Sequence, residues 1–263
     1  MSAYAAILRA RFRTLLQYRA AAAAGFSTQL FWGLLRVMIF GAFYRSSTAP
    51  QPMSYQETVN YLWLTQALFA MLPWSVDADV RDMIRNGTVA YEMLRPLDLY
   101  TLWYTRALAA RTVPTLLRAV PMFALAGLFF GLQAPPSPAH GLAWALTTVC
   151  ALLLSAAFST LITLSLLWTI SGEGVSRLVP SLVFIFSGML LPLPLFPDWM
   201  QPLLAILPFG GIYDAPFRVY MGHIPLARLG LVLAHQLVWT LALILLGRGL
   251  LTRATRRLVV QGG

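Results

Sequence analysis

Few residues in this chain could do chemistry, and they are scattered. His140, His223 and His235 stand alone, with no second histidine, cysteine or acid at ligand spacing, so no metal site is expected. Cys150 is the single cysteine and sits in an apolar run, which excludes a disulfide within the chain. Asp198, and Asp214 with Arg218, read as structural caps. Ser54 and Glu57 form the S-x-x-E pattern of a capping box, giving Glu57 a structural role ahead of ion binding. No nucleophile–base constellation is present, so no catalytic residue is expected. There is no lysine, so the phosphate loop G-x-x-x-x-G-K-S/T cannot occur. Any ATP chemistry belongs to another polypeptide.

Arg36 is different, because it lies inside the apolar run WGLLRVMIF. An arginine near the centre of a membrane span costs about 2.5–3.5 kcal/mol on insertion scales. It lies eight residues from Tyr44, roughly 12 Å along a helix, so snorkelling outward reaches only partway. Two readings stay open: a residue facing a substrate pathway or an interhelical partner, or a snorkelling arginine beside a thinned leaflet.

The elements that would position these residues are membrane helices. Of 263 residues, 59% are hydrophobic and only 11% charged, with a mean hydropathy of +0.70. A soluble domain carries about 25% charge. So little charge cannot cover a water-facing surface of this size. All 19 basic residues are arginine, and with 9 acids they give a net charge of +10. They cluster between apolar runs, which argues for cytoplasmic loops and against nucleic acid binding.

Six segments have about the 20 apolar residues that a span needs: 21–44, 57–76, 112–132, 141–170, 178–195 and 229–247. The first is too long for a signal-peptide core and reads as a retained span. Arg9, Arg11, Arg13 and Arg19 precede it. Arg81, Arg85, Arg95, Arg106 and Arg111 lie between the second and third runs, Arg177 precedes the fifth, and Arg248, Arg253, Arg256 and Arg257 follow the sixth. The opposite side holds Arg45, Arg218 and Arg228. The positive-inside rule puts both termini in the cytoplasm. Residues 3–19 carry Tyr4, Ile7, Leu8, Phe12, Leu15 and Leu16 at helical spacing, with Arg9, Arg13 and Gln17 on another face. This predicts an amphipathic helix, lying on the membrane lipid or extending the first span. Ser155, Ala156, Ala157 and Ser159 permit close helix packing.

Segment 190–228 is apolar but broken by Pro192, Pro194, Pro197, Pro202, Pro208, Gly210, Gly211 and Pro216. Unpaired backbone is not tolerated in lipid. Short re-entrant helical pieces at the outer side are expected, or a loosely ordered cap.

Loop 77–111 reads as short charged helices. Asp77 with Arg81 and Asp82 with Arg85 are spaced for one helix face, Gly87 is a natural terminator, Pro96 stops a second helix, and Asp98 can cap a third. Its run RNGTVAYEMLRPLD, from Arg85 to Asp98, resembles the R-x-G-x-x-x-x-x-x-L-x-R-P pattern of ABC type-2 transporter permeases, one residue shorter because Leu94 directly precedes Arg95 and Pro96. More closely, it resembles the bacterial subfamily in which paired permeases accompany a separate ATPase. The resemblance covers nearly the whole chain: amphipathic helix, six spans and a broken apolar segment before the last.

That resemblance implies an all-α integral membrane permease, one domain over 1–263, in the bacterial cytoplasmic (inner) membrane. It implies that the loop holds a coupling helix, with Asp82, Arg85, Asn86, Gly87, Glu92, Arg95 and Pro96 contacting a dimeric ABC ATPase subunit. The loop Ser171-Gly172-Glu173-Gly174 would assist. ATP and Mg would sit on that ATPase, and this chain would bind no cofactor. A second permease, identical or related, would complete the pathway. Export of an amphipathic drug, lipid or peptide is the implied function. An ATP-independent carrier or channel is the alternative; a membrane-embedded enzyme is weaker, since Arg36 is the only polar group recognised inside the spans.

Overall fold

The computed structural model describes residues 3–17, 19–168 and 173–256. All regular structure among these residues is helical. Helix α1, Ala3–Gln17, is followed by α2, Arg19–Ser46. Helix α3, Tyr55–Ala67, leads through a 3-10 turn, Phe69–Met71, into the short helices α4, Ala78–Arg85, and α5, Val89–Met93. Long helices α6, Leu99–Phe129, and α7, Pro138–Ser165, then α8, Glu173–Phe186, complete the central part. Two 3-10 turns precede α9, Gln201–Ile206, one precedes α10, Asp214–Tyr220, and one precedes α11, Leu229–Thr255, the last described helix.

Among the described residues, four helical segments are long and apolar enough to cross a membrane: Ala23–Ser46, Leu99–Phe129, Pro138–Ser165 and Leu226–Thr255. They fall on four of the six expected spans. The other two are shorter helices. Helix α3 has 13 residues, about 20 Å at 1.5 Å each, against a hydrocarbon core of about 30 Å. It gives way at Leu68 to the 3-10 turn, and that turn stops where Pro73 pushes Leu72 out of the helical region, to φ −62° and ψ 130°. Helix α8 begins at Glu173, five residues earlier than the expected fifth span, and ends at Phe186.

Helix α3 is the centre of the bundle. Every residue from Thr58 to Ala67 is buried, polar ones included, because α2, α6 and the α10 segment pack around it. Its polar groups are satisfied within the protein. The Asn60 side-chain oxygen accepts the Gln133 N–H at 3.0 Å, and the Trp63 indole donates to the Phe130 carbonyl at 3.1 Å while its ring stacks on that of Phe130. Helix α7 carries the small residues Ser155, Ala156, Ala157 and Ser159, all buried, and packs against α6, α10 and α11. The Ser155 hydroxyl donates to the Met71 carbonyl, so the stripe also supplies a hydrogen bond where α3 breaks.

Segment 190–228 is a series of short helices and 3-10 turns, as its prolines require. It is well packed rather than loose: Ile212, Tyr213 and Phe217 are fully buried in the main core.

Candidate functional site

Two regions concentrate the candidate side chains. The first is the segment 77–98, which is pinned at both ends. The Asp77 carboxylate accepts the backbone N–H groups of Asp79 and Val80 at 3.1 and 3.3 Å and so caps α4. Gly87, at φ +72°, ends α4 in the left-handed region that lacks a Cβ penalty only for glycine. Val80 and Val89 are buried against Tyr100 and Trp103 of α6, Leu164 of α7 and Leu251 of α11. The Asp98 carboxylate caps α6 through the Thr101 N–H at 2.9 Å and meets Arg248 of α11 at 3.1 Å. The segment is therefore a folded platform, not a solvated strap.

Ion pairing differs from the expected local pattern. Arg106 of α6, expected as a loop charge, clamps Asp77 at 2.7 Å and Asp79 at 2.9 Å, while Arg11 of α1 reaches Asp79 at 2.5 Å. Asp77 is thus drawn away from Arg81, and Asp82 and Arg85 form no ion pair among the described residues. Tyr4 and Ile7 of α1 rest on the same cluster, and the Tyr4 hydroxyl accepts the Asp98 N–H at 2.8 Å. So the N-terminal part of the α1 stripe faces protein.

The Arg11 hydrogen bond, the Arg106 charge beside it and their Coulomb attraction outweigh partial burial and hold the Asp79 carboxyl below its ordinary range. A lowered carboxyl pKa stabilises fully above the unfolded value of about 3.9 and is lost as pH falls through the folded value. Hydrogen exchange in α1, corrected for the intrinsic pH dependence of amide exchange, should therefore be flat from pH 5 to 8 and rise only below about pH 4. Asp79→Asn should raise it at pH 7, by about 1 kcal/mol or less of opening energy, since the pair is partly exposed.

The expected coupling residues divide into two sets. Asp82, Arg85, Asn86, Gly87, Arg95 and Pro96 are exposed. Glu92 is turned inward, 6% exposed, and accepts the Trp103 indole N–H at 2.9 Å, with Arg95 at 3.9 Å. Its face of α5 is the Val89 face. The opposite face presents Tyr91 and Leu94, 70% and 80% exposed, which charge-based reading overlooks. The i, i+3 spacing of Val89 with Glu92, and of Tyr91 with Leu94, was the available signal. The Ser171–Gly172 half of the second inward loop lies outside the described residues; Glu173 and Gly174 open α8.

The second region is a groove of about 570 Å³ between α2, α6 and the end of α8. Trp32, Phe40, Phe69, Trp74 and Phe184 line it, with Gln29, Arg36, Gln66 and Arg118. Arg36 has the interhelical partners that one of its two readings requires: it donates to the Thr65 hydroxyl at 3.2 Å and to the Leu190 carbonyl at 2.5 Å. That carbonyl is free to accept because the chain has left α8 at Phe186. Arg118 was missed, although it lies within the expected third span and meets the criterion that singles out Arg36. It corrects the view that Arg36 alone is polar inside the spans.

Other pairs are braces. Arg111, expected as a loop charge, is buried and donates to the Leu72 and Ser75 carbonyls at 2.7 and 2.9 Å and to the Ser159 hydroxyl at 3.1 Å. The Glu57 capping box forms, and its other oxygen meets His223 at 2.7 Å, a contact across 166 positions that no spacing rule reveals. Asp214 is a buried acceptor for Tyr61 at 3.1 Å rather than a simple cap. No group of three metal-ligating side chains occurs among the described residues.

Among known proteins, the family model described as ABC-2 family transporter protein matches residues 30–262, from the middle of α2 onward. No curated protein and no solved structure matches the chain.

Proposed function

The chain belongs to the ABC-2 transporter family and is a multi-pass membrane subunit; from that premise we propose that it is the permease half of an exporter driven by a separate ATPase. The single observation carrying this reading is the platform 77–98, fixed to α1, α6, α7 and α11 while its far face stays exposed. A surface so anchored can transmit a push from a partner into four helices at once. The ATPase, as a dimer holding ATP and Mg, docks there, and a second permease completes the pathway. In this arrangement α3 and α8, with the chain that continues each, count as the second and fifth of six crossings. Both termini then face the cytoplasm of a bacterial inner membrane. The groove beside α2 suits an amphipathic cargo.

Cysteine labelling tests this topology. With Cys150 replaced, cysteines at Ser47, Pro136 and Trp199 should react with an impermeant thiol reagent in intact cells. Those at Asn86 and Thr255 should react only after permeabilisation. Reaction of Asn86→Cys from outside would place the platform on the wrong side for an ATPase and overturn the reading. Co-purification of an ATP-hydrolysing subunit with the tagged chain tests the coupling directly, and a carrier working without ATP would bring none.

A further inference from the structure

Arg118 has no visible reason to be where it is. Its guanidinium lies against Gly25 of α2, where a Cβ would approach within 2.5 Å, so the helix is cut away to admit it. Yet among the described residues it forms no hydrogen bond or ion pair, and its Nε is buried without a partner. Gln29, one turn further along α2, is 4% exposed, and its side-chain oxygen is likewise unpartnered. Arg36 lies eleven residues from Gly25, about 16 Å along the helix, and is bonded only to neutral acceptors. No carboxylate lies within ion-pair distance of either arginine among the described residues.

Arg118 is partly buried, and a guanidinium Nε sealed from solvent without a hydrogen bond is costly. The shape around it names what is missing. A guanidinium fork matches a carboxylate or phosphate with two parallel bonds, and the Gln29 carboxamide, whose oxygen has no partner to hold it, can turn its NH2 inward to donate a third. The remaining wall, Trp32, Phe40, Phe69, Trp74 and Phe184, is apolar and aromatic. We infer that this groove binds an anionic amphiphile, with Arg118 and Gln29 holding its carboxylate or phosphate head, the aromatic wall holding its tail, and Arg36 a second cationic station further along α2. This deepens the permease reading and rests on it for the role of the ligand as cargo; the binding itself does not.

The test uses the full-length chain in nonionic detergent, with tryptophan quenching by a brominated alkyl phosphate and by the brominated alcohol of the same length. The wild type should prefer the phosphate by about tenfold or more, as expected for charged hydrogen bonds in a buried site. Arg118→Gln should erase the preference, Arg118→Lys should keep part of it, and Gln29→Leu should lower it severalfold, with gel-filtration profiles unchanged. Vesicles separate the two sources of such a head group. Competition by added phosphatidylglycerol assigns the site to a membrane lipid, and its absence assigns the site to a carried solute; both keep the inference. Equal preference in Arg118→Gln and wild type overturns it. So does a dimeric wild type without quenching, which would mean that a second copy covers the groove. None of these readouts involves the ATPase, so the groove and the coupling proposal can fail separately.

Discussion

Arg111→Leu should lower the stability of the folded chain by about 2 kcal/mol, even though it makes α6 more hydrophobic. Two effects oppose each other. Removing an arginine from an apolar helix favours insertion by about 2.5–3.5 kcal/mol. Against this, Arg111 makes three hydrogen bonds from a buried position, each worth roughly 1.5–3 kcal/mol when one partner is charged. The bonds hold the extended chain after α3, at Leu72 and Ser75, to α6 and α7. Loss of the fork leaves the buried Leu72 carbonyl without its partner, on a segment with no regular ladder of its own. Arg111→Lys should be at least as damaging, because an ammonium keeps the desolvation cost but cannot reach three acceptors in one plane. The thermal midpoint in detergent should fall by about 5 °C for a loss of this size. A midpoint equal to wild type for Arg111→Leu would show that the brace is dispensable.

Arg111 also shows where sequence reading stops. Its place in a basic cluster made it one of the charges that set orientation, and nothing in the sequence distinguishes it from Arg85, which is exposed. The difference lies in α6, which starts at Leu99 and takes Arg106 and Arg111 into its first turns. Asp98 announced that start correctly as a cap, but hydropathy set the boundary thirteen residues later, because the first turns are amphipathic. The long apolar helices were legible because their signal is additive over 20 or more residues. The breaks at Pro73 and in 190–228 follow from one residue type with one steric consequence. Long-range pairs such as Glu57 with His223, or Asp79 with Arg11, depend on packing that no local pattern encodes. Helix α3 shows a related limit. Hydropathy marked it as apolar, but not that the surrounding helices rather than lipid would cover it.

The largest functional effect should come from Leu94→Asp combined with Tyr91→Asp. The two side chains are the exposed apolar face of α5, and they touch nothing in the core that Val89 and Glu92 help to form. The fold should therefore remain intact, within about 0.5 kcal/mol, as for surface changes away from buried features. If the ATPase docks on the platform, these side chains are the ones it can desolvate, and each is worth about 2 kcal/mol or more as an interface anchor. Association should weaken by at least roughly a hundredfold, and export should fall with it. Glu92→Arg makes the instructive contrast. Glu92 accepts the Trp103 indole at 2.9 Å from a buried position, so an arginine there places an unpaired charge against α6. Loss of coupling in that variant should come with loss of folded protein, and so it cannot identify the docking face. Arg85→Glu stands between the two: exposed and unpaired among the described residues, it should change the salt dependence and rate of association more than the final affinity. Pull-down of the ATPase, gel filtration and export measured on all three variants separate docking from folding. Normal pull-down by the Tyr91 and Leu94 double variant would move the docking face away from α5.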